Sequence, residues 1–396
     1  MSRRVLFVDD EPKLLEGLQR MLRPMRREWD MHFVLGGAAA LEMMDREPFH
    51  VLVSDMRMPE MDGAALLAEV RRRHPLTVRI VLTGQCSRDA LLQLMSTAHR
   101  VLTKPCDAEM IKTAVQRACS LQELLRSERL AAIVGSLGTV PSPPNLYTQI
   151  VEELQRPEPS LEVLANTMTR DVGMTAKLLQ MANSPLLGLR GPITSLERAV
   201  FVLGTETVKT LVLAAGVFSR YDAAAMAPFS LDTLWDHSRR VGELARRIAS
   251  EEEVDKRIVV DATLGGLLHD VGRLVLAAQV SEGYKQVMEL MLCQGLPLAE
   301  AEQQVLGATH AEVGAYLLGL WGLPEPLVEA VAWHHTPSRC PGQTFSALTA
   351  VHVAEVIYNE DADAADMEYF ERLGLTRRLA AWTEAANDPR RSGDDP

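Results

Sequence analysis

Four short apolar runs in the first 110 residues are each followed by a polar residue that can bind phosphate or a metal ion. Asp9 and Asp10 follow VLFV, and Asp55 follows VLVS. Thr83 follows RIVL, and Lys104 follows RVLT. If these runs are parallel strands of an open sheet, their carboxyl ends face one crevice. We therefore expect the five side chains to lie close together.

The residue types in this crevice predict phosphoryl chemistry. Three carboxylates suit Mg²⁺, which prefers oxygen ligands and shares them with a phosphoryl group. The Lys104 ammonium can neutralise one phosphoryl oxygen, and the Thr83 hydroxyl and the Gly84 backbone N–H can donate hydrogen bonds to others. Each residue alone could be an ordinary polar cap at a strand end. The complete set in this order favours a magnesium-dependent phosphoryl site.

A second group of candidate residues lies in the later part of the chain. His269 and Asp270 stand side by side in the apolar stretch LLHDVGRLVL. Four further histidines complete the group: His237, His310, His334 and His335. Imidazoles and a carboxylate on facing helices could hold one or two transition-metal ions, which would acidify water for attack on a phosphate ester.

A buried polar pair is the alternative interpretation of His269 and Asp270. A carboxylate inside an apolar helix is costly unless it is paired, so a nearby imidazolium, Arg239 or Arg240 could satisfy Asp270. On this interpretation His334 and His335 are ordinary polar residues at a helix end. The residue pattern by itself leaves both alternatives open.

Two different patterns of apolar residues predict the strands and helices that hold these candidate residues. Up to about residue 110, the runs VLFV, HFVL, VLVS, RIVL and RVLT alternate with helical stretches, which predicts a doubly wound α/β domain. GTVPSPPN then marks a boundary, and the rest of the chain predicts an all-helical domain. The predicted divisions are 1–123 for the α/β domain, 124–138 for a helical linker, 139–342 for the helical domain, and 343–396 for a helical extension and tail.

A helical repeat leads from the end of the first domain into the linker. Apolar residues recur at three- and four-residue intervals at Ile111, Val115, Ala118, Leu121 and Leu125. This spacing predicts one amphipathic helix over about residues 107–130. The helix would couple the two domains or mediate dimerisation, and its first half could equally be a terminal helix that covers the sheet. Only the end of the chain, NDPRRSGDDP, predicts disorder.

Composition limits the classes of function. The net charge of −12 divides into about +1 for residues 1–123 (18 Lys and Arg against 17 Asp and Glu) and −13 for the rest (23 against 36). An acidic second half argues against an output that binds nucleic-acid phosphates.

The five cysteines form no C-x-x-C pair, and no signal peptide or membrane span is evident. We therefore expect a cytoplasmic protein without disulfides.

The motifs VDDE, SDMRMPEMDG, LTG and TKP resemble those of a response-regulator receiver domain over residues 1 to about 123. The resemblance implies that a sensor histidine kinase phosphorylates Asp55 and that the Lys104-Pro105 bond is cis. It implies Mg²⁺ ligands from Asp9, Asp10, Asp55 and the Arg57 carbonyl, and phosphate contacts from Thr83, Gly84 and Lys104. The usual aromatic switch position holds Val101, which predicts a different coupling route, such as His99 and Arg100.

Residues 137 to about 340 resemble an HDOD domain, a helical relative of the HD phosphohydrolases. The resemblance rests on VPSPPNLYTQIVEELQRPEPSLEVLANTMTRDVGMTAKLLQMANSP, ITSLERAVFVLGTETVKTLVL, HDVGRLVL and THAEVGAYLLGLWGLPEPLVEAVAWHH. It implies a regulatory protein-interaction module, because most members of that family have lost the metal ligands.

The histidines are nevertheless placed much like the ligands of the HD-GYP relatives, which cleave cyclic dinucleotides. Three departures argue against catalysis. The late aspartate of an active HD site is missing, and TAVHVAEVIY offers only His352 and Glu355 there. The Gly-Tyr-Pro signature is absent after His335, and Arg273 replaces a lysine.

The sequence thus predicts a bacterial two-component response regulator with a receiver and an HDOD output. We expect the output to bind an unidentified downstream protein, with homodimerisation as a further expectation and with neither nucleic acid nor membrane as a partner. The alternative is a phosphohydrolase that cleaves cyclic dinucleotides with Mn²⁺, Fe²⁺ or another divalent metal ion.

Overall fold

The computed structural model describes most of the chain, and the account below concerns those residues. They are 3–84, 94, 97–137, 140–142, 149–150, 152–154, 156, 159–183, 191–213, 218–220, 230–252 and 254–387. Cys86, most of the GTVPSPPN boundary and the end of the chain from residue 388 lie outside the described residues.

A five-stranded parallel sheet forms the first domain, as predicted. Its strands are β1 Arg3–Asp9, β2 Trp29–Leu35, β3 Val51–Asp55, β4 Val78–Thr83 and β5 Arg100–Thr103, in the spatial order β2-β1-β3-β4-β5. Each strand contains one of the five apolar runs. The central strands β3 and β4 are buried along their whole length, which suits their apolar segments VLV and IVL.

Helices cover both faces of this sheet. The first three are α1 Pro12–Met21, α2 Gly37–Arg46 and α3 Gly63–Arg73. The start of α3 lies directly beside the end of β3, because a Cβ at Gly63 would overlap the Asp55 carbonyl oxygen. A glycine is therefore needed where the chain passes the carboxyl end of the middle strand.

Two helices, called the linker helices below, cover the segment from residue 108 to residue 136, so the prediction of one helix over 107–130 is wrong. They are α4 Ala108–Leu124 and α5 Glu128–Ser136. Leu125 adopts an extended conformation and is buried, and the Ser127 hydroxyl accepts a hydrogen bond from Leu130 N as the cap of α5. The helix breaks here because Leu125 is buried in the core in an extended conformation and Ser127 caps the next helix. The apolar repeat continues through this break and therefore does not reveal it.

The second domain is helical. Its helices are α6 Leu161–Met168, α7 Val172–Ala182, α8 Leu196–Leu213, α9 Leu231–Glu251, α10 Lys256–Leu268, α11 Val271–Gln279, α12 Ser281–Gln294, α13 Leu298–Leu306, α14 His310–Leu320, α15 Glu325–Trp333, α16 Ala347–Tyr358, α17 Met367–Leu373 and α18 Arg378–Asn387. A short parallel pair, β6 Val140–Ser142 with β7 Phe218–Arg220, was not predicted. Three-residue segments with a proline carry too weak a pattern to be recognised as strands.

The two domains pack against each other through α4, α5 and α14. Leu121 of α4 lies against Gly319 of α14, and Arg117 donates to the Leu323 carbonyl. One hydrophobic core runs from Phe7 of the sheet to the helices of the second domain. None of the described helices is long and apolar enough to cross a membrane.

Candidate functional site

The receiver-like crevice is assembled at the carboxyl ends of the strands. Asp9 ends β1, Asp55 ends β3 and Thr83 ends β4, and all three are buried. Lys104 follows β5, and its backbone N–H donates to the Thr83 carbonyl at 2.7 Å. The Lys104-Pro105 bond is cis, as the resemblance implied.

The Lys104 ammonium joins two of the carboxylates. Its Nζ contacts Asp55 Oδ1 and lies 3.2 Å from Asp9 Oδ2. Burial opposes the charge on Lys104, but the hydrogen bonds and negative charges of Asp55 and Asp9 outweigh burial and raise the Lys104 pKa. The second oxygen of Asp55 accepts from Arg57 N at 2.7 Å.

The remaining residues of this group lie at the rim of the crevice. Asp10 is half-buried directly after β1, and Gly84 is exposed after β4. The site offers three carboxylates, and two of them are buried around one ammonium group. A set of donors made only of oxygen atoms fits Mg²⁺.

The second site lies inside the helical domain, where the chain brings all six predicted residues together. His237 is on α9, and His269 and Asp270 occupy the tight turn between α10 and α11. The other three are His310 at the start of α14, and His334 and His335 directly after α15.

The donor atoms of this histidine cluster are close to one another. The Nε2 atoms of His237 and His269 are 3.1 Å apart, and those of His310 and His335 are 3.0 Å apart. His334 Nε2 lies 3.4 Å from His310 Nε2. Asp270 Oδ1 lies 3.2 Å from His310 Nε2.

The far side of three of these rings is anchored to the protein. His269 Nδ1 lies 2.6 Å from the Gly266 carbonyl, and His334 Nδ1 lies 2.8 Å from the Val331 carbonyl. His310 Nδ1 lies 2.6 Å from a carboxylate oxygen of the buried Glu302. These acceptors require the proton on Nδ1, so in the neutral form of each ring Nε2 presents a lone pair toward the centre of the cluster, as in metal-ligating histidines.

Glu355 is the residue that sequence reasoning missed. It is on α16, and its Oε2 is buried 3.3 Å from Nε2 of both His237 and His269 without an aligned hydrogen bond. This carboxylate is in the neighbourhood where the late aspartate was judged missing. Its presence in TAVHVAEVIY, where an aspartate was expected, was the available hint, and the glutamate side chain is one bond longer than that of an aspartate.

Three overlapping groups of donors could hold a metal ion. They are His310 with His334 and His335, His237 with His269 and Glu355, and His269 with Asp270 and His334; within each group the donor atoms lie within 4.8 Å of one another. Imidazole nitrogens and carboxylate oxygens together suit Zn²⁺, Mn²⁺ or Fe²⁺. The rings of His310 and His334 are both anchored through Nδ1, so in their neutral forms their Nε2 lone pairs face each other at 3.4 Å. Such lone pairs repel unless a cation separates them, so the residues fit a metal centre.

The proposed partners of Asp270 need a correction. Arg239 and Arg240 both pair with Asp236 on the exposed face of α9, so neither reaches Asp270. Arg273 is the partner instead, with its Nη1 at 2.7 Å from Asp270 Oδ2. An i,i+3 contact across the first turn of α11 brings this arginine to the carboxylate.

The surroundings of each side chain in the cluster determine whether it is charged. Burial opposes ionisation of Asp270, but Arg273 and the neighbouring imidazoles hold its pKa well below the usual range. Burial also opposes the charge on His269, yet Asp270 and Glu355 raise its pKa to about 9. Burial and repulsion by His310 lower the pKa of His335 to about 3. His335 is therefore neutral, which is the form that binds metals.

Comparison with known families gives two matches. The HDOD domain family matches residues 140–337, and the response regulator receiver domain family matches residues 5–116. Glu355 thus belongs to the part of the chain that follows the HDOD match, although its carboxylate lies in the cluster.

The chain is also similar to individual proteins. An uncharacterized protein of Treponema pallidum is 24% identical over 270 residues, which cover 67% of this chain and 50% of that protein. The response regulator protein PilR of Pseudomonas aeruginosa is 36% identical over 124 residues, covering 31% of this chain and 27% of that protein. The chain therefore spans half or less of the length of these relatives.

Among solved structures, the MmoQ response regulator of Methylococcus capsulatus aligns with 62% of this chain and 98% of its own, at 22% identity and a TM-score of 0.48. Members of the receiver domain family that matches residues 5–116 bind Mg²⁺ and are phosphorylated by histidine kinases. A receiver-domain match over residues 5–116 precedes an HDOD match that covers half of the sequence, so the chain belongs to the HDOD domain family.

Proposed function

We propose that Asp55 is the phosphoacceptor and that a sensor histidine kinase is its phosphoryl donor. Asp55 ends the middle strand, and its carboxylate contacts Lys104. In the transfer, an Asp55 oxygen bonds to phosphorus while the phosphorus–nitrogen bond to the kinase histidine breaks. Lys104 is within reach of the incoming phosphoryl oxygens and balances their charge.

The rest of the crevice supports this step. Asp9, Asp10 and Asp55, together with the Arg57 carbonyl, would hold Mg²⁺, which neutralises phosphoryl charge when bound. The Thr83 hydroxyl and the Gly84 N–H would donate hydrogen bonds to phosphoryl oxygens.

Labelling with acetyl phosphate and Mg²⁺ tests the assignment. We expect Asp55→Asn to take up no label, whereas the matched control Asp45→Asn, at an exposed aspartate of α2, labels like the wild type. Wild-type labelling of Asp55→Asn would show that the phosphoacceptor lies elsewhere.

For the output domain we propose a metal centre that hydrolyses a phosphate ester. The observation that carries this proposal is the convergence of five imidazoles with the carboxylates of Asp270 and Glu355 in three overlapping donor groups. Transition-metal ions in such a centre lower the pKa of water and polarise a phosphoryl oxygen. This class of reaction includes the cleavage of cyclic dinucleotides.

The chain's own residues supply the rest of such a site. The Nδ1 contacts of His269, His310 and His334 fix the orientation of three rings. Arg273 holds Asp270 from one side, and its partly exposed guanidinium can bind a phosphate oxygen.

Helix α14 supports control of this centre by the receiver. It begins at His310 in the cluster and ends at Leu320, next to the contact between Gly319 and Leu121 of α4. The 11-residue helix thus spans about 15 Å between the domain interface and a metal-ligand candidate. A shift of α4 on phosphorylation would move His310 through a rigid element.

Hydrolysis assays test the proposal. Full-length protein is incubated with bis(p-nitrophenyl) phosphate or a cyclic dinucleotide and with Mn²⁺ or Fe²⁺. We expect turnover that disappears in Asp270→Asn and persists in Asp236→Asn, the same substitution at an exposed aspartate of α9. Metal-loaded wild type without turnover of either substrate would exclude hydrolysis of these esters.

A regulatory protein-interaction module is the second candidate, and the pair of Asp270 with Arg273 favours it. This pair compensates the buried carboxylate without a metal ion. The output would then act through an unidentified downstream protein or through a second copy of the chain. Beryllofluoride-dependent association of protein that holds Mg²⁺ but no transition metal, measured by light scattering, would support this candidate.

A further inference from the structure

A cleft of about 690 Å³ lies on the face of α9 opposite His237. Its α9 residues include Arg239, Gly242, Glu243 and Arg246, which are roughly half a helical turn around from His237. The turn after α6, the start of α8 and α10 form the other walls. None of the described lining residues belongs to the histidine cluster, and the volume is within the usual range for small-molecule sites.

The rim of this cleft has an excess of positive charge. Four arginines line it, namely Arg170, Arg239, Arg246 and Arg247, against the two described carboxylates Glu197 and Glu243.

Among the described residues, two carboxylates are each shared between two arginines of α9. Glu243 serves two arginines, with contacts of 2.7 Å to Arg246 and 3.1 Å to Arg247. Asp236, outside the cleft, is likewise shared between Arg239 and Arg240. Residues 124–396 carry a net charge of −13, so this local excess runs against the overall composition.

The opposite wall of the cleft is apolar. It consists of Leu196, Val260, Leu264 and Leu267, and Thr194 and Thr263 are also part of the lining. Arginines bind phosphate oxygens in a fork geometry, whereas an apolar wall removes the face of a flat ring from water. A ligand that satisfies both walls combines phosphate groups with an aromatic ring.

We propose that this cleft is a nucleotide-binding site, with the phosphates on the arginines and the base on the leucine and valine wall. The site is separate from the histidine cluster and does not depend on a metal ion there. A nucleotide bound there would regulate the output domain in addition to phosphorylation of the receiver.

Isothermal titration calorimetry of the full-length protein tests the proposal with ATP, GTP and tripolyphosphate as probes. We expect binding of a nucleotide that weakens about tenfold in Arg170→Gln and in Arg246→Gln, because each change removes a charge-assisted hydrogen bond. Both arginines are partly exposed on the surface, so neither substitution removes packing from the core. Tripolyphosphate should bind more weakly than the preferred nucleotide.

Two control variants locate the ligand. Arg240→Gln removes an arginine from the same helix outside the cleft, and Asp270→Asn changes the histidine cluster; both should bind like the wild type. Three results would overturn the proposal: no binding of ATP or GTP, wild-type affinity in both arginine variants, or equal affinity for tripolyphosphate. Loss of binding in Asp270→Asn alone would place the nucleotide at the histidine cluster instead.

Discussion

In the helical domain, a buried carboxylate beside the histidine cluster orients one of its rings. Glu302 is fully buried and accepts from both the backbone N–H and Nδ1 of His310, at 2.7 and 2.6 Å. The carboxylate therefore fixes the ring and directs the Nε2 lone pair of His310 inward. Such outer contacts matter to metal affinity nearly as much as the ligands themselves.

Replacing Glu302 with Gln should weaken metal binding without removing a ligand. An amide is a poorer partner for His310 Nδ1–H, so we expect about 10- to 100-fold weaker affinity for Mn²⁺ or Zn²⁺. Competition with a chelating dye measures this change. The control Glu300→Gln, exposed on α13, should bind like the wild type, and equal affinities for all three proteins would contradict the assigned role of Glu302.

A buried lysine outside both sites predicts a pH dependence of stability. Lys177 is buried over the Trp321 ring, and burial, aided by the charge of Arg71, lowers its pKa to about 7. In the unfolded chain the pKa of a lysine is about 10.4. Between these values the unfolded state binds more protons, so this group makes the folded state more stable as pH rises.

Lys177→Met removes this pH-dependent contribution. We expect the variant to exceed the wild type in free energy of unfolding most at pH 6.5, and the difference to shrink by pH 9.5. Urea unfolding of both proteins at each pH provides the test. A difference that stays constant between the two pH values would show that Lys177 does not titrate as assigned.

At the scale of elements, close contacts between helices hold the donors in place. Gly272 is in the first turn of α11, where a Cβ would overlap the His310 carbonyl oxygen. The contact fixes the distance between α11, which follows Asp270, and α14, which begins with His310. A similar contact joins Gly242 of α9 to Gly266 of α10.

Gly272→Ala should destabilise the protein by about 1–3 kcal/mol, because the backbone of α14 must move away. Gly17→Ala is the matched control, since a Cβ at that position in α1 meets no atom within 4 Å. It should be neutral or stabilise by about 0.5–1 kcal/mol. Thermal unfolding of both variants distinguishes the cases, and equal stability of Gly272→Ala and wild type would refute the contact.

Elements with a simple repeat could be predicted from the sequence. The five apolar runs predicted the sheet, and the polar residues after them predicted the crevice around Asp55 and Lys104. The break at Leu125 was missed because a buried leucine and a serine cap depend on what α5 packs against. Glu355 was missed because its role requires the position of α16 relative to α9, which no local pattern encodes.

At the scale of the whole molecule, the linker helices join the two domains. Arg79 of β4 donates to the Gly135 carbonyl of α5 at 2.6 Å, and His99 lies 3.1 Å from the same oxygen. Coupling through His99 was predicted because Val101 occupies the aromatic switch position. The contact of His99 with α5 supplies such a route, and α14 continues it to the cluster.

Phosphorylation should therefore change protection in the linker helices. We expect beryllofluoride with Mg²⁺ to alter hydrogen exchange across residues 107–137 and in α14, and Asp55→Asn to show no change. Exchange in α1 serves as an internal reference, because that helix is outside the route. Identical exchange in the linker helices with and without beryllofluoride would contradict coupling through this interface.

The metal content of the full-length protein tests the central claim most directly. Protein purified without chelator is analysed by inductively coupled plasma mass spectrometry as wild type, Asp270→Asn, Glu355→Gln and the control Asp236→Asn. We expect about one or two equivalents of a transition metal in the wild type and in Asp236→Asn, and a sharp loss in the other two variants. A wild type without stoichiometric metal that also fails to bind added Mn²⁺, Fe²⁺ or Zn²⁺ would show that the cluster is a buried polar network and not a metal centre.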